Sequence, residues 1–406
     1  MAPEMVPPIQ PSPSRLTAID GWRGLIMVIM ALDHVRDFIH AGAMTGAPED
    51  LASTTPILFF TRWLTHICAP VFMFAAGAGA FLKLQRTASD AGSKMRLSWF
   101  LLTRGLWLVL LELTVMRLAM NFSVGWQYPV LLLVLWALGM SMVMMAALVH
   151  LPRPALIAVS AILILGHNAF DGVRAATLGG WAPLWNILHQ QGVFILGGVP
   201  VVTAYPLLPW VGVMAAGFCF GPVLLMPPSA RQRVMIRSGL MLIAGFVILR
   251  TFNLYGEPSH WAPQSSTAMS VVSFFRATKY PPTLSFLLMG PALCLLAWID
   301  RRGWSPAHPL VIIGRVPLFY YVVHFWLIHV VAAVLALVGY GSASLAWLFM
   351  PLPSMGGPAA VFPTGFGYPL WGTYLVWLAV VAMMYPLCRW FAALKAGQTG
   401  WWWGYL

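Results

Sequence analysis

The chain has 406 residues, of which 60% are hydrophobic and only 8% charged. So few charges cannot clothe a soluble surface of this size, and the sequence predicts an all-α, polytopic membrane bundle. The net charge of +12 lies in short clusters between apolar runs, which marks membrane topology and argues against a nucleic-acid partner.

Ten apolar windows approach the length needed to cross about 30 Å of hydrocarbon. They are 22–40, 56–82, 97–118, 128–149, 153–168, 203–226, 236–252, 281–299, 311–338 and 368–391. None shows the alternation of an outer-membrane barrel strand, so helices are expected. Residues 1–14, rich in Pro and Ser, read as a disordered cytoplasmic tail. Residues 15–395 read as one transmembrane domain and 396–406 as a second cytoplasmic tail. With the N-terminus inside, most of the 23 basic residues fall on cytoplasmic ends and loops, which places both termini in the cytoplasm. Proline opens each inward-running window, at Pro56, Pro129, Pro206, Pro281 and Pro369. There a helix loses no internal hydrogen bond.

The first window, RGLIMVIMALDHVRDFIH from Arg23 to His40, carries Asp33, His34, Arg36, Asp37 and His40 in its outer half. Ionisable groups at membrane depth are costly and mark a functional site. A rise of about 1.5 Å per residue places His34 near the midplane and His40 toward the outer face. Spacing allows Asp33 and Asp37 to pair with Arg36 and His40, and His34 to reach Asp37. The plainer reading is a neutralised structural network. The second window places Arg62 and His66 on one face, with His66 also near the midplane. Adjacent antiparallel helices would then bring His34 and His66 together, oriented by Asp33 or Asp37, as a general-base site requires. Interhelical hydrogen bonding is the alternative for His66. The run Ala75 to Ala80 suits close helix packing.

Glu112 in the third window calls for a partner, and Arg117 is one candidate. The stretches 169–202 and 253–280 are long enough to cover a cleft on the outer side, and WAPLWNILHQQG in the first suggests an interfacial helix. In the ninth window His324 and His329 lie five residues apart, a poor metal pair, so interhelical hydrogen bonding is favoured. The cysteines Cys68, Cys219, Cys294 and Cys388 form no CxxC pair, and no metal is expected. Nucleotide-binding and hydrolase signatures are missing as well. An anionic cofactor remains open, because Arg23, Arg104 and Arg315, with Lys83 and Arg86, stand at cytoplasmic span ends.

Six segments carry a likeness to a known family: RLTAIDGWRGLIMVIMALDHVRDF, TRWLTHICAPVFMFAAGAGAF, YPLLPWVGVMAAGFCFG, ATKYPPTLSFLLMG, GRVPLFYYVVHFWLIH and YPLCRWFAALK. Together they resemble the transmembrane acyltransferases of the heparan-alpha-glucosaminide N-acetyltransferase type, and more closely bacterial relatives of that enzyme. The resemblance implies transfer of an acetyl or other acyl group from cytosolic acyl-CoA to an acceptor, such as a glycan, on the outer face of a bacterial inner membrane. By spacing, His34 stands where the sugar enzyme has a motif asparagine. The loop that would hold that family's active histidine reads AGAMTGAPED and has none. His66 replaces an aspartate.

The leading expectation is therefore an acyl-CoA-dependent membrane acyltransferase. His34, or else His40, is the base, oriented by Asp33 or Asp37, and His66 or Arg62 stabilises the oxyanion. Arg104, Arg315 and Arg23 would hold the CoA phosphates, membrane lipids surround the bundle, and a homodimer is compatible. The rival is a proton-coupled or solute transporter that uses the same cluster as a relay, against which stands the lack of inverted repeats. A scaffold without chemistry is third.

Overall fold

All ten windows fall on helix, although their ends shift. The computed structural model describes residues 16–405 except 88, 89, 91, 124, 126, 127, 356 and 358, so the expected tail 1–14 lies outside the described residues, as does Arg15. The long helices are α1 (Thr17–Ile39), α2 (Pro56–Arg86), α3 (Ser93–Asn121), α4 (Val134–Leu148), α5 (Arg153–Leu165) and α6 (Leu207–Leu224). They continue with α7 (Pro228–Phe252), α8 (Leu284–Arg302), a short α9 (Pro309–Arg315), α10 (Pro317–Ala346) and α11 (Leu370–Ala396). Among the described residues seven of these, α2, α3, α6, α7, α8, α10 and α11, are long and apolar enough to cross a membrane. Helix α1 has the length, but its charges set it apart, while α4 and α5 are shorter apolar helices.

Four helix pairs are brought together by facing glycines. Gly24 of α1 lies against Leu310 of α9 while Gly314 of α9 lies against Asp20, and Gly77 of α2 meets Met214 of α6 while Gly217 meets Phe74. Gly105 and Gly139 join α3 to α4, and Gly239 and Gly290 join α7 to α8 in the same way. A methyl group at any of these positions would press on a backbone carbonyl of the partner helix. Without a hydrophobic force between helices in lipid, such close approach supplies the dispersion contact that holds them together. Helix α6 is the inner element, with 72% of its apolar window buried, whereas α7 and α11 show 22% and form the periphery.

The proline pattern holds only in part. Pro56 is the first residue of α2, and Pro206 and Pro369 cap α6 and α11. Pro129 instead precedes a strand, and Pro281 stands three residues before α8. A small sheet also departs from the all-α expectation. Strands β1 (Val130–Leu132), β2 (Gly192–Leu196) and β3 (Val199–Thr203) have the order β1-β3-β2, with β3 parallel to β1 and antiparallel to β2. Gly197 and Gly198, with φ of 57° and 83°, make the hairpin turn between β2 and β3. The expected interfacial helix is the seven-residue Ala182–Leu188 just before β2. Between α10 and α11, Trp347, Phe362 and Phe366 pack into one aromatic cluster.

Candidate active site

Helix α1 and the start of α2 build a buried ionic network. Arg36 donates to Asp33 at 3.2 Å and to Asp37 at 2.5 Å, which is the i, i+3 and adjacent pairing available within one helix. Arg62 on α2 donates to the other Asp33 oxygen and, through Nε, to Glu49 at 3.0 Å. Lys279 brings a third cation to Asp33 at 3.6 Å. Thr65 Oγ1 lies 3.1 Å from Arg62 Nη1. Asp33, Arg36 and Arg62 are each at most 6% exposed. Three cations around one carboxylate meet the requirement that a buried charge be paired on every side. Outside the membrane-spanning segments, burial would raise the Glu49 carboxyl, but Arg62 and His66 hold it well below the ordinary carboxylate range.

This network leaves no carboxylate for His34. Its Nδ1 lies 2.7 Å from Nε2 of His324 on α10, and its ring packs at 4.1 Å on Phe325. His324 Nδ1 in turn lies 2.8 Å from the carbonyl oxygen of Tyr320. A carbonyl can only accept, so His324 carries its proton on Nδ1 and presents Nε2 as an acceptor when the ring is neutral. His34 must then donate from Nδ1. Its Nε2 keeps the lone pair, and the side chain remains partly accessible. The pair is thus a base whose tautomer is fixed by a main-chain carbonyl, the role usually taken by a carboxylate.

The expected meeting of His34 and His66 does not occur as a bond. His66 Nε2 faces Glu49 at 3.4 Å, and no hydrogen bond joins it to His34 among the described residues. Asp33 and Asp37 are held by arginines and do not orient His34. His40 caps α1, its Nδ1 is buried without a partner, and its backbone bridges to Tyr368. Glu112 accepts from the backbone N–H groups of Leu135 and Trp136 at the start of α4, at 2.8 and 3.1 Å, while Arg117 bonds the carbonyls of Gly125 and Tyr128. A helix N-terminus satisfies a carboxylate as an arginine would. His329 hydrogen-bonds the Ala119 carbonyl across helices, as expected.

Two cavities lie toward opposite ends of α1. One, of about 250 Å³, is lined by Arg23, Lys83 and Arg104 together with Phe100, Met142 and Tyr321, and no carboxylate lines it. Arg315 is absent from this wall and faces Asp20 at 4.0 Å, so only two of the three expected arginines converge. The C-terminal residues fold over its rim: Arg104 donates to the Gly404 carbonyl, and the Tyr405 hydroxyl lies 2.6 Å from Thr103. The other cavity, of about 410 Å³, is polar, lined by Arg36, Asp37, Glu49, Arg62, Lys279 and Tyr280 among others. Arg23 and Arg36 are 13 residues apart on α1, which separates the two cavities by about 20 Å. Between them stands the histidine pair: Tyr321, in the wall of the first cavity, meets the His34 ring edge-on at 6.2 Å. Tyr280, in the wall of the second, meets the Tyr205 hydroxyl at 3.5 Å.

Residues that the linear pattern did not assign to the site are His324, Tyr321, Glu49 and Lys279. His324, Tyr321 and Lys279 lie far in sequence from the α1 groups they meet, whereas Glu49 lies only 13 residues from Arg62.

A bundle with several helices apolar and long enough to cross a membrane defines an integral-membrane protein. Comparison with known families gives the class: the chain belongs to the family described as heparan-alpha-glucosaminide N-acetyltransferase, catalytic, whose pattern matches residues 15–257. Membership indicates transferase activity, and the matched span includes Asp33, His34, Arg62 and His66. A comparison with curated proteins gave no match. Among the described residues no group of three or more His, Cys, Asp or Glu side chains is arranged to hold a metal ion.

Proposed function

We propose that the protein moves an acyl group from acyl-CoA, bound in the cavity of Arg23, Lys83 and Arg104, to an acceptor hydroxyl or amine admitted from the polar cavity. The observation that carries this is the Tyr320–His324–His34 chain, because it leaves a lone pair on His34 Nε2 between two cavities of opposite character. Three cations suit the phosphates of CoA through charge-assisted hydrogen bonds, and the apolar wall of Leu108, Leu135 and Leu138 suits the pantetheine arm. The acceptor oxygen or nitrogen attacks the thioester carbonyl while its proton passes to His34 Nε2. The new acyl bond forms, the C–S bond breaks, and the thiolate leaves and recovers the proton from His34. His324 shares the charge that develops on His34, and the Tyr321 phenol is the nearest candidate donor to the carbonyl oxygen. Arg62, engaged with Asp33 and Glu49, lines the acceptor cavity instead, and His66 stands behind Glu49.

The reading has the donor entering from the cytoplasm, with both chain termini on that side and about ten spans in the bacterial inner membrane. A cysteine at Ser93 should label only from the cytoplasmic face. Acceptance of labelled acetyl from acetyl-CoA tests the chemistry directly, using wild type and His34→Ala with a panel of amino and hydroxyl sugars. Solute-coupled proton uptake with no acyl transfer would replace this reading with the transporter.

A further inference from the structure

Beside the polar cavity runs a lateral crevice of about 150 Å³, between α2, α7, α8 and the short helix Thr267–Phe275. Its walls are apolar, with Trp63, Ile243, Phe246, Val247, Phe275 and Phe286 contributing. Val247 is 44% exposed on the peripheral helix α7, so the crevice opens toward hydrocarbon.

Two features of this crevice are out of place in a simple packing defect. Ser285 lines it, is 3% exposed, and its hydroxyl has no hydrogen-bond partner among the described residues. Hydrocarbon cannot satisfy that hydroxyl, and an unmet buried polar group is costly. His66 also lines it while its Nε2 faces Glu49, which belongs to the polar cavity, and Ala277 lines both spaces. The crevice and the cavity are therefore neighbours across His66 and Ala277. On the cavity side Arg36, Arg62 and Lys279 are engaged with Asp33, Asp37 and Glu49, whereas the Arg276 guanidinium in the same wall makes no hydrogen bond to the described residues. The combination is an apolar slot open to lipid, a polar step at its end, and beyond it a guanidinium, Arg276, that stands outside the ionic network.

We propose that the acceptor is a lipid phosphate: its hydrocarbon chain lies in the crevice, the ester oxygen joining chain to phosphate accepts from the Ser285 hydroxyl, the phosphate meets Arg276, and the group to be acylated hangs from that phosphate in the polar cavity. The chemistry rests on the acyl-transfer reading, whereas the lipid site does not. Specificity follows from the wall, because a free sugar fills neither the slot nor the cationic step.

The test uses the full-length protein in detergent and farnesyl phosphate carrying a terminal diazirine. Irradiation should label peptides around residues 243–247 and 285–291, and unlabelled farnesyl phosphate should compete at least tenfold better than farnesol. Val247→Trp, at the lipid-facing mouth, should reduce this labelling at least tenfold. Arg276→Gln should abolish the preference for the phosphate while leaving farnesol competition in place. Thermal unfolding checks that both variants are folded, and the Arg276 variant alone decides the matter if the tryptophan is not tolerated. Labelling spread evenly over the lipid-facing helices, or equal competition by farnesol and its phosphate, overturns the proposal. In the transfer assay, glucosamine carried on farnesyl phosphate should be acetylated at least tenfold more efficiently than free glucosamine. Equal use of both overturns the lipid acceptor but leaves acyl transfer standing. Specific labelling with no acyl transfer to either overturns the acceptor role and the acyl-transfer reading, and leaves only a lipid site.

Discussion

The two ends of α1 use cations in opposite ways. Toward the C-terminal end Arg36, Arg62 and Lys279 are tied to Asp33, Asp37 and Glu49 in one closed network. Toward the N-terminal end Arg23, Lys83 and Arg104 line a cavity whose wall has no carboxylate among the described residues. The first arrangement holds helices in place; the second is suited to an incoming anion. A count of charged residues treats both ends alike, so ligand binding must be argued from the partners of each group rather than from its charge.

The largest effect should come from breaking the closed network at its hub. Asp33→Ala leaves three buried or partly buried cations without their shared carboxylate, a loss on the order of 3–5 kcal/mol for a broken buried pair. The expected result is a folded yield too low to purify, or a large fall in unfolding temperature in detergent. Normal stability would mean that the network is not structural. Next comes the base: His34→Ala should lower acyl transfer by about 10² or more with donor affinity nearly unchanged. His324→Ala should lower it about tenfold, and the double variant should be no worse than His34→Ala, because the pair acts as one unit. Additive losses would separate the two rings.

At the other cavity, Arg104→Gln and Lys83→Gln should each weaken acyl-CoA binding by about tenfold, the loss of one charge-assisted hydrogen bond. Arg315→Gln, outside the cavity, should change it less than about threefold. Equal effects at all three positions would return Arg315 to the donor site. The smallest effect concerns pH at Glu49. Its folded pKa is depressed, chiefly by Arg62 acting against burial, so its stabilising contribution is present above the ordinary Glu value of about 4 and is lost only as pH falls through the lower folded value. The stability gap between wild type and Glu49→Gln should thus stay constant between pH 6 and 8 and close under strong acid. A gap that closes near neutrality would point to His66 rather than Glu49 as the titrating group.

Several parts of the site could be read from the chain alone. Asp33, Arg36 and Asp37 pair as one helix dictates, and Arg62 on the next helix joins them. The reading went wrong where it filled gaps with the nearest residue. His34 was given Asp37, three positions away, but its partner is His324, 290 residues away. Glu112 was given Arg117, yet backbone N–H groups at the start of α4 satisfy it. The β2–β3 hairpin carried a usable signal, Gly197-Gly198 between two runs rich in β-branched residues, which the loop reading of 169–202 passed over.

By itself the sequence determined that this is a helical membrane protein, where its apolar helices lie, and that its ionisable groups concentrate on α1 and α2. Hydrophobic run length and the 3.6-residue period are local properties, and both survive whatever the helices pack against. Only the tertiary structure decided which histidine faces His34, which arginines share a cavity, and that Arg315 does not. Those choices depend on which helices are neighbours and how each is rotated, and here that is fixed by facing glycines, such as Gly24 with Gly314 and Gly77 with Gly217, which lie far apart in the chain. A helix carries its own face in its sequence, but the face opposite belongs to another segment, and the free energy that selects it exists only once the backbones are in contact.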